Sequence, residues 1–387
     1  MDLHYANSLP YINELEPELA NSWLEIRLDT LGKNIDYLRS LLPQGKKMMA
    51  VVKADAYGHG SIEVSVKAQK KNINYLGVAT IAEAKILRQA GVTLPILVLG
   101  SVFPEQIHIA LKFNIETTIS SIESIKNLNN IATALNLKAK AHLKIDSGMG
   151  RVGVRPEKLN DLINFLQSSE KIELKGIFTH FAESENPNQD FTKQQIQTFK
   201  EGYKKVKEAG FKDFITHAAN SSGILCHPDS CFDMVRTGLA MYGVGDPQTP
   251  HLTQVLSLKS RIINLKEVPK GNSLGYGRSF FTIRDSLIGI IPIGYADGFP
   301  RILSNKQDVL IKGKRCRVVG NISMDQCLVD ITDIENIKIG EEVILQGSSG
   351  NESIKAEEWA EKSYRIPYEV LCGFGNRLPR VYIDTHL

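Results

Sequence analysis

The chain has 387 residues, of which 42% are hydrophobic and 23% charged, and this composition excludes a disordered or fibrous protein. Lys and Arg total 46 against 43 for Asp and Glu, so the net charge of +3 gives no reason to expect a nucleic-acid or anionic-membrane partner. No apolar stretch could span a bilayer, and the acidic N-terminus lacks a signal pattern. Five cysteines are too few for a disulfide framework, so we expect a reducing, cytoplasmic compartment.

The N-terminal part of the chain predicts an arm, a strand and a helix in that order. Residues 1–22 form an acidic arm with weak periodicity. Residues 23–28 alternate between polar and apolar side chains, and because this strand precedes the main repeating region we expect it to pair with the C-terminal domain. Asp29 or Thr30 is then predicted to cap a helix whose apolar residues recur at helical spacing, namely Leu31, Ile35, Leu38 and Leu42.

Residues 29–250 alternate eight short apolar runs with longer amphipathic stretches. This alternation predicts strands that are each followed by a helix, and eight such units favour an α/β fold, a (β/α)8 barrel of the TIM type. An open, doubly wound parallel sheet is the alternative that the same pattern permits. The predicted strands are 48–52, 75–78, 96–99, 116–119, 141–145, 174–178, 214–217 and 234–236.

Residues 251–387 change to short β-rich runs separated by Gly, Asn and Asp, which predicts an all-β domain with strand–turn–strand connections. Its predicted strands are 255–265, 286–293, 307–311, 315–319 and 342–345. The length of the chain agrees with this division, since a barrel of ~250 residues leaves a second domain of modest size.

The strongest local signal is the segment Val-Val-Lys-Ala-Asp-Ala-Tyr-Gly-His-Gly at residues 51–60. Lys53 directly follows the first predicted barrel strand, at the end of the barrel where such enzymes carry their chemistry. A lysine held there in apolar surroundings suits a Schiff base, and Tyr57 and the glycines suit contact with a phosphate. For a lone lysine, however, a solvated side chain at a strand end is the more common role.

This segment resembles the cofactor-lysine motif of the alanine racemases, and the resemblance continues through further motifs, in the same order, to the C-terminus. It implies a pyridoxal-phosphate enzyme with a barrel and a C-terminal β domain, acting on an amino acid as a homodimer with shared active sites. The implied reaction interconverts L- and D-alanine and supplies D-alanine for peptidoglycan. The other matching segments are 142–151, 176–182, 217–222, 235–243, 275–277, 293–301, 323–326 and 367–370.

The resemblance also implies roles for individual residues. Lys53 would bind the cofactor as a Schiff base, and Tyr276, in the β domain, would supply the second base. Arg236 would face the pyridine nitrogen with His217 supporting it, and Lys144 matches a lysine that can be carbamylated to orient a substrate-binding arginine. The remaining cofactor-binding positions are Tyr57, His180, Asn220, Ser221, Gly238, Leu239 and Tyr368, and the substrate-binding positions are Arg151, Met324, Tyr295 and Asp325.

Arg236 is informative about the reaction because an arginine does not readily give up a proton. A pyridine nitrogen opposite it would stay unprotonated, which weakens the cofactor as an electron sink and suits racemisation over transamination. A racemase of broader or serine preference is the first alternative, since Ser323 and Leu239 alter the polarity of the pocket. A barrel decarboxylase would need an acidic residue in place of Arg236, and a non-catalytic pyridoxal-phosphate carrier would lack the C-terminal domain.

Two further patterns in the sequence are weak. Residues 148–153 fit a dinucleotide-binding glycine pattern, but Pro156 follows soon after and no helix opens directly on the glycines. Cys226, His227 and Cys231 are close in sequence but match no usual zinc spacing. We therefore predict neither a dinucleotide site nor a metal site.

Overall fold

The computed structural model describes residues 20–186, 188, 190–245 and 251–384, so most of the predicted N-terminal arm lies outside the described residues. The chain divides into two compact units. One unit consists of Leu31–Thr253, and the other joins the residues up to Thr30 to Gln254–Leu387. Across the described ranges, none of the helices combines the length and the apolar character needed to cross a membrane.

Parallel strands form the sheet of the unit Leu31–Thr253. The ring closes between two of them, where the Val98 N–H donates to the Glu116 carbonyl at 3.0 Å and the Glu116 N–H donates to the Ile96 carbonyl at 2.9 Å. The predicted barrel is therefore confirmed, and the open sheet is wrong. Counted after β1 (Ser22–Arg27), which belongs to the other unit, the strands are β2 (Lys47–Val51), β3 (Tyr75–Val78), β4 (Ile96–Val98), β5 (Thr117–Ile119), β6 (Ala139–Lys144), β7 (Ile172–Phe178), β8 (Ile215–His217) and β9 (Met234–Thr237). They follow the order β4-β3-β2-β9-β8-β7-β6-β5.

The barrel strands are buried along almost their whole length because a parallel barrel is covered by side chains on both faces. Every residue of β3, β4, β5 and β9 is buried. Strands of this kind appear in the sequence as continuous apolar runs. This is why each predicted strand bound of the barrel lies within two residues of the observed one.

Helix α1 (Leu28–Ser40) comes before the first barrel strand, the later helices named below each follow a barrel strand, and α1 corrects a prediction. It begins at Leu28, so Asp29 and Thr30 lie within its first turn and neither residue caps it. A carboxylate in the first turn is favourable there because it faces the positive end of the helix dipole. The helices are α1 (Leu28–Ser40), α2 (Ser61–Lys70), α3 (Ile81–Gln89), α4 (Pro104–Lys112), α5 (Ile122–Ala134), α6 (Leu159–Gln167), α7 (Asp190–Glu208) and α8 (Ser221–Cys226).

The second unit is built on a twisted row of mostly antiparallel strands. Its order is β11-β14-β17-β16-β15-β18-β10-β1-β20, with β19 paired to β18 and with β12 and β13 forming a separate hairpin. Strand β1 pairs antiparallel with β10 and parallel with β20. These strands are β10 (Leu256–Arg261), β11 (Asn264–Val268), β12 (Ser273–Leu274), β13 (Phe280–Phe281), β14 (Ser286–Ile291), β15 (Asp308–Ile311), β16 (Lys314–Val319), β17 (Cys327–Asp330), β18 (Glu342–Ser349), β19 (Glu352–Ile354) and β20 (Arg380–Ile383).

The predicted C-terminal sheet domain is confirmed, and it also contains two helices that the turn-rich pattern did not indicate. These are α9 (Ala356–Ser363) and α10 (Pro367–Cys372). Trp359 of α9 is fully buried, stacks at a tilt on Phe299 with 5.0 Å between ring centroids, and donates to the Leu345 carbonyl at 3.2 Å. The predicted strand 255–265 is also divided, because the chain leaves β10 at Arg261 and begins β11 at Asn264.

Candidate active site

Five of the predicted site residues lie at the carboxyl ends of barrel strands. Lys53 comes two residues after β2, Lys144 ends β6, His180 comes two residues after β7, His217 ends β8, and Arg236 lies in β9. Parallel strands end at the same rim of a barrel, so the fold brings these side chains to one place. Barrel enzymes carry their chemistry at this rim.

Lys53 begins an unusual turn of left-handed backbone. Ala54, Asp55, Ala56 and Tyr57 all have φ between 51° and 55°, a region that costs an alanine about 1–2 kcal/mol. The turn is closed by main-chain hydrogen bonds, and the Ala54 N–H also donates to a carboxylate oxygen of the capping residue Glu83, at 2.7 Å. Strain of this kind is concentrated at functional sites, where surrounding structure holds it in place.

Arg236 is the most extensively bonded of these residues. Its Nη1 lies 3.2 Å from Nδ1 of His217 and donates to the His217 carbonyl at 3.1 Å. Its Nη2 donates to the carbonyls of Thr179 and Ala218, each at 2.8 Å, and lies 3.2 Å from Nδ1 of His180. No hydrogen bond joins Nε to another residue of the described chain. Burial lowers the pKa of Arg236 to about 9, which still leaves it charged at neutral pH.

Positive charge is concentrated around this rim. Burial, together with Arg236 and Arg151, lowers the pKa of the Lys144 amine to about 8 against the opposing effect of Asp146, and Lys53 lowers it further. Burial and the same cations lower the pKa of His180 to about 2, so this imidazole stays neutral. A cluster of cations with a neutral imidazole among them suits a ligand that carries more than one anionic group.

The hydroxyls of Tyr57 and Ser221 meet the main chain just after β9. The Ser221 Oγ accepts from the N–H groups of Gly238 at 3.0 Å and Ala240 at 3.2 Å. A Cβ at Gly238 would lie 3.0 Å from the Tyr57 hydroxyl, so the glycine allows that hydroxyl to approach the backbone. Leu239 is buried between the two N–H groups. Because the Ser221 oxygen accepts both N–H groups, its own O–H points elsewhere as a donor, and hydroxyl donors of this kind fit a phosphate.

Two other predicted residues lie on turns that the barrel holds in place. The side-chain carbonyl of Asn220 caps α8 by accepting the Gly223 N–H at 2.8 Å. Arg151 is exposed and follows a turn that the Asp146 carboxylate closes by accepting the Gly150 N–H at 3.0 Å. The structure therefore brings every predicted barrel residue to the strand ends or to the turns that follow them.

Three of the predicted residues of the second unit, Tyr295, Met324 and Asp325, lie on two loops that pack against each other. The Tyr295 N–H donates to the Ser323 carbonyl and the Ala296 N–H to the Met324 carbonyl, both at 3.1 Å. A Cβ at Gly294 would lie 2.2 Å from the Ser323 carbonyl, so only glycine permits this contact. The packing of the two loops therefore places Tyr295 beside Met324 and the adjacent Asp325.

Tyr276 lies on the rim of a cleft in the same unit. The cleft has a volume of about 370 Å³ and is lined by Gly275, Tyr276, Asn321, Ser323, Gln326 and Leu328. Asn321 donates to the Tyr276 carbonyl at 2.7 Å, while the Tyr276 side chain is 74% exposed. Tyr368, the second residue of α10, is 40% exposed. The phenol of Tyr276 is thus presented outward from a firmly held loop.

Several residues that hold these groups were not predicted. Arg377 joins the two loops of the second unit, because its guanidinium donates to Asp297 at 2.9 Å and to Asp325 at 2.8 Å. In the barrel, His217 is hydrogen-bonded to His142, and His142 is hydrogen-bonded in turn to Glu116, farther from the rim. His142 opens one of the motifs of the sequence, so its alternation with Lys144 on β6 was the signal that could have identified it.

The fold and the rim together define a barrel enzyme that places a strand-end lysine among cations, with a sheet unit appended. Comparison with known proteins is more specific. The family model "Alanine racemase, N-terminal domain" matches residues 26–246, and "Alanine racemase, C-terminal domain" matches residues 255–382. The chain belongs to the alanine racemase family, as the motifs had suggested.

Individual relatives agree with this assignment. The alanine racemase of Methanococcus maripaludis is 40% identical over 93% of this chain and 98% of its own, and that of Halothermothrix orenii is 38% identical over 93% and 96%. Among solved structures, alanine racemase of Clostridium difficile 630 superposes with a TM-score of 0.89 at 40% identity, over 95% of this chain and 96% of that one. The Bartonella henselae structure, with a TM-score of 0.84 at 30% identity over 94% and 100%, is described with covalently bound pyridoxal phosphate.

Proposed function

We propose that this protein interconverts L- and D-alanine with pyridoxal phosphate as its cofactor, and that D-alanine is supplied in this way for peptidoglycan. The observation that carries the proposal is the ring of positive charge around Lys53 at the barrel rim, in a chain that belongs to this family. The cofactor and the carboxylate of an amino acid are both anionic, which matches that charge.

The residues at the rim fit the proposed cofactor. Tyr57 and Ser221 would hold the phosphate beside the main chain at Gly238, since both hydroxyls lie there. Lys53 would hold the aldehyde carbon covalently. The Nε–H of Arg236, which makes no hydrogen bond to another residue of the described chain, would donate to the ring nitrogen. When bound, pyridoxal phosphate draws electrons from the α-carbon of the amino acid and makes its proton removable.

Racemisation requires a proton to leave one face of the α-carbon and another to arrive at the opposite face. We assign one face to the Lys53 amine and the other to the Tyr276 hydroxyl. Arg236 donates a hydrogen bond but gives up no proton, so the ring nitrogen stays unprotonated and electron withdrawal stays moderate. Moderate withdrawal favours rapid return of a proton to the α-carbon over transamination.

The buried environment of Lys144 favours formation of a carbamate on its amine. The pKa of about 8, lowered mainly by burial, leaves an appreciable fraction of neutral amine at neutral pH, and only the neutral amine attacks carbon dioxide. The resulting anion would attract Arg151 and so orient it toward the substrate carboxylate. Isotopically labelled bicarbonate should give a carbamate NMR signal that is missing from Lys144→Met.

We also propose a homodimer in which the sheet unit of one subunit completes the barrel site of the other. The 74% exposure of Tyr276 and the 52% exposure of Met324 support a surface that meets another chain. Mixing inactive Lys53→Ala and Tyr276→Phe chains should then restore activity through hybrid dimers. If subunits demonstrably exchange and no activity returns, the shared site is wrong.

The direct test of function is a chiral assay on alanine and serine, with and without added pyridoxal phosphate. We expect equilibration of the alanine enantiomers that depends on the cofactor, and a lower rate with serine. Borohydride should then fix the cofactor to the peptide that contains Lys53. Carbon dioxide release from a basic amino acid without racemisation would favour the decarboxylase, and cofactor on another lysine would overturn the assignment of Lys53.

A further inference from the structure

A line of buried polar side chains runs from Glu116 to Arg236 and extends beyond the residues assigned above. Oε2 of Glu116 lies 2.8 Å from Nε2 of His142, and Nδ1 of His142 lies 2.9 Å from Nε2 of His217. Nδ1 of His217 lies 3.2 Å from Nη1 of Arg236. All four residues are at most 4% exposed. A buried carboxylate is costly, and the proposed reaction has no direct use for Glu116 or His142.

The protons of this line can be assigned from the chemistry of its two ends. A guanidinium only donates, so Nδ1 of His217 must accept from Arg236 and carry no proton. A neutral imidazole then carries its proton on Nε2, from which it donates to Nδ1 of His142. His142 in turn carries its proton on Nε2 and donates to the Glu116 carboxylate, which only accepts. Burial, with the positive charge of Arg236 as a lesser cause, lowers the pKa of His217 well below its ordinary value and keeps it neutral.

The backbone around the line is shaped to hold its rings. The pairing of β6 with β7 shifts register between Ala141 and His142, which sets His142 opposite Gly176. A Cβ at Gly176 would lie 2.2 Å from Nδ1 of His142, so any larger residue would occupy the place of the ring. The Phe178 ring stacks on His217 with 4.8 Å between centroids and an interplanar angle of 5°. This packing opposes a rotation of either imidazole that would exchange its two nitrogens.

We propose that Glu116 is a positioning residue whose carboxylate, acting through His142, fixes His217 in the tautomer that accepts from Arg236. This role rests on the proposed function, because it orients the guanidinium whose Nε would face the ring nitrogen of the cofactor. A neutral amide at position 116 can donate as well as accept. It therefore also permits the reversed arrangement, in which His142 and His217 each carry the ring proton on Nδ1 instead of Nε2. In that arrangement an N–H of His217 opposes an N–H of Arg236, and the guanidinium is displaced.

The test compares Glu116→Gln with Glu173→Gln, a matched substitution in β7 whose side chain is 46% exposed and pairs with Lys175. The ring nitrogens of isotopically labelled histidine are observed by NMR in the cofactor-free proteins. Alanine racemisation is assayed with the same proteins after pyridoxal phosphate has been added. In the unmodified chain we expect Nδ1 of His217 to be unprotonated. Glu116→Gln should shift His217 toward the other tautomer and lower kcat by roughly 10- to 100-fold, as loss of an outer partner does for ligating histidines, with KM little changed. Glu173→Gln should do neither.

A proton on Nδ1 of His217 in the unmodified chain would overturn the proposal, and this measurement stands even if Glu116→Gln does not fold. Unchanged His217 signals in a folded Glu116→Gln chain would also overturn it, whatever the activity, as would an unchanged kcat. If the unmodified protein fails to racemise alanine, the proposed function fails. The comparison of His217 tautomers between the unmodified chain and Glu116→Gln needs no cofactor. It therefore still decides whether Glu116 determines which nitrogen of His217 carries the proton.

Discussion

The Arg236→Lys substitution keeps a positive charge inside the barrel but leaves too few donors for the acceptors around it. The guanidinium serves three carbonyls, those of Thr179, His217 and Ala218, and the Nδ1 atoms of His180 and His217. All five acceptors lie on Nη1 and Nη2, which together carry four N–H groups, whereas an ammonium has three, so at least one acceptor that the guanidinium satisfies loses its donor. Since a buried unsatisfied group costs about 1–3 kcal/mol, we expect the free energy of unfolding to fall by at least that amount, about 1–3 kcal/mol.

The loss is measured by urea unfolding of cofactor-free protein, so that cofactor binding does not contribute. Arg155→Lys is the matched control, because the Arg155 side chain is 56% exposed and its ion pair with Asp146 is long, with 3.5 Å between nitrogen and oxygen. Exposed pairs of this kind contribute about 0–1 kcal/mol. If Arg236→Lys is as stable as Arg155→Lys, Arg236 does not hold the carbonyls together as we describe.

Two further predictions concern the turn after β2 and the amine at the end of β6. Ala54→Gly should raise the free energy of unfolding by about 0.5–1 kcal/mol, because relief of ~1–2 kcal/mol of left-handed strain exceeds the ~0.5–1 kcal/mol entropic cost of glycine. The control Ala82→Gly, in the right-handed helix α3, should lower the free energy of unfolding by about 1 kcal/mol. If both substitutions lower it equally, the backbone at Ala54 is not strained. Burial, and Arg236 after it, lower the pKa of Lys144 from 10.5 to about 8, so between these values the folded chain binds fewer protons than the unfolded chain. Its stability without carbon dioxide should therefore rise with pH over that window and should rise less in Lys144→Met, while identical pH slopes would refute the lowered pKa.

The barrel could be predicted from the sequence because its strands are buried on both faces and therefore appear as apolar runs. Strand β3 has the predicted bounds, and the other seven differ by one or two residues at one or both ends. The second unit was less accessible to this reasoning. Strand β17 and helix α10 were not predicted, and α10 is specified mainly by a proline at its first position and by packing that no local pattern reveals.

The parts of the site that the sequence could not predict depend on contacts between distant segments. Nothing in the types of Ala54 and Ala56 favours left-handed backbone, and tertiary structure imposes it on them. Glu116 and His142 are 26 residues apart and meet only because β5 and β6 are neighbours in the barrel. A resemblance to a family indicated the rim residues and the support of Arg236 by His217, but it carried no information about the hydrogen bonds of Glu116 and His142 beneath them.

The central claim is that the Lys53 amine and the Tyr276 hydroxyl serve opposite faces of the α-carbon. It is tested most directly by exchange of the α-proton of each alanine enantiomer in deuterated water, followed by NMR with Tyr276→Phe. Loss of one general base should slow racemisation by roughly 10²–10⁴-fold. We predict that D-alanine still exchanges its α-proton through Lys53, faster than it racemises, while L-alanine exchanges far more slowly. Equal loss of exchange for the two enantiomers would contradict the assignment of one base to each face, even if Tyr276 proved essential.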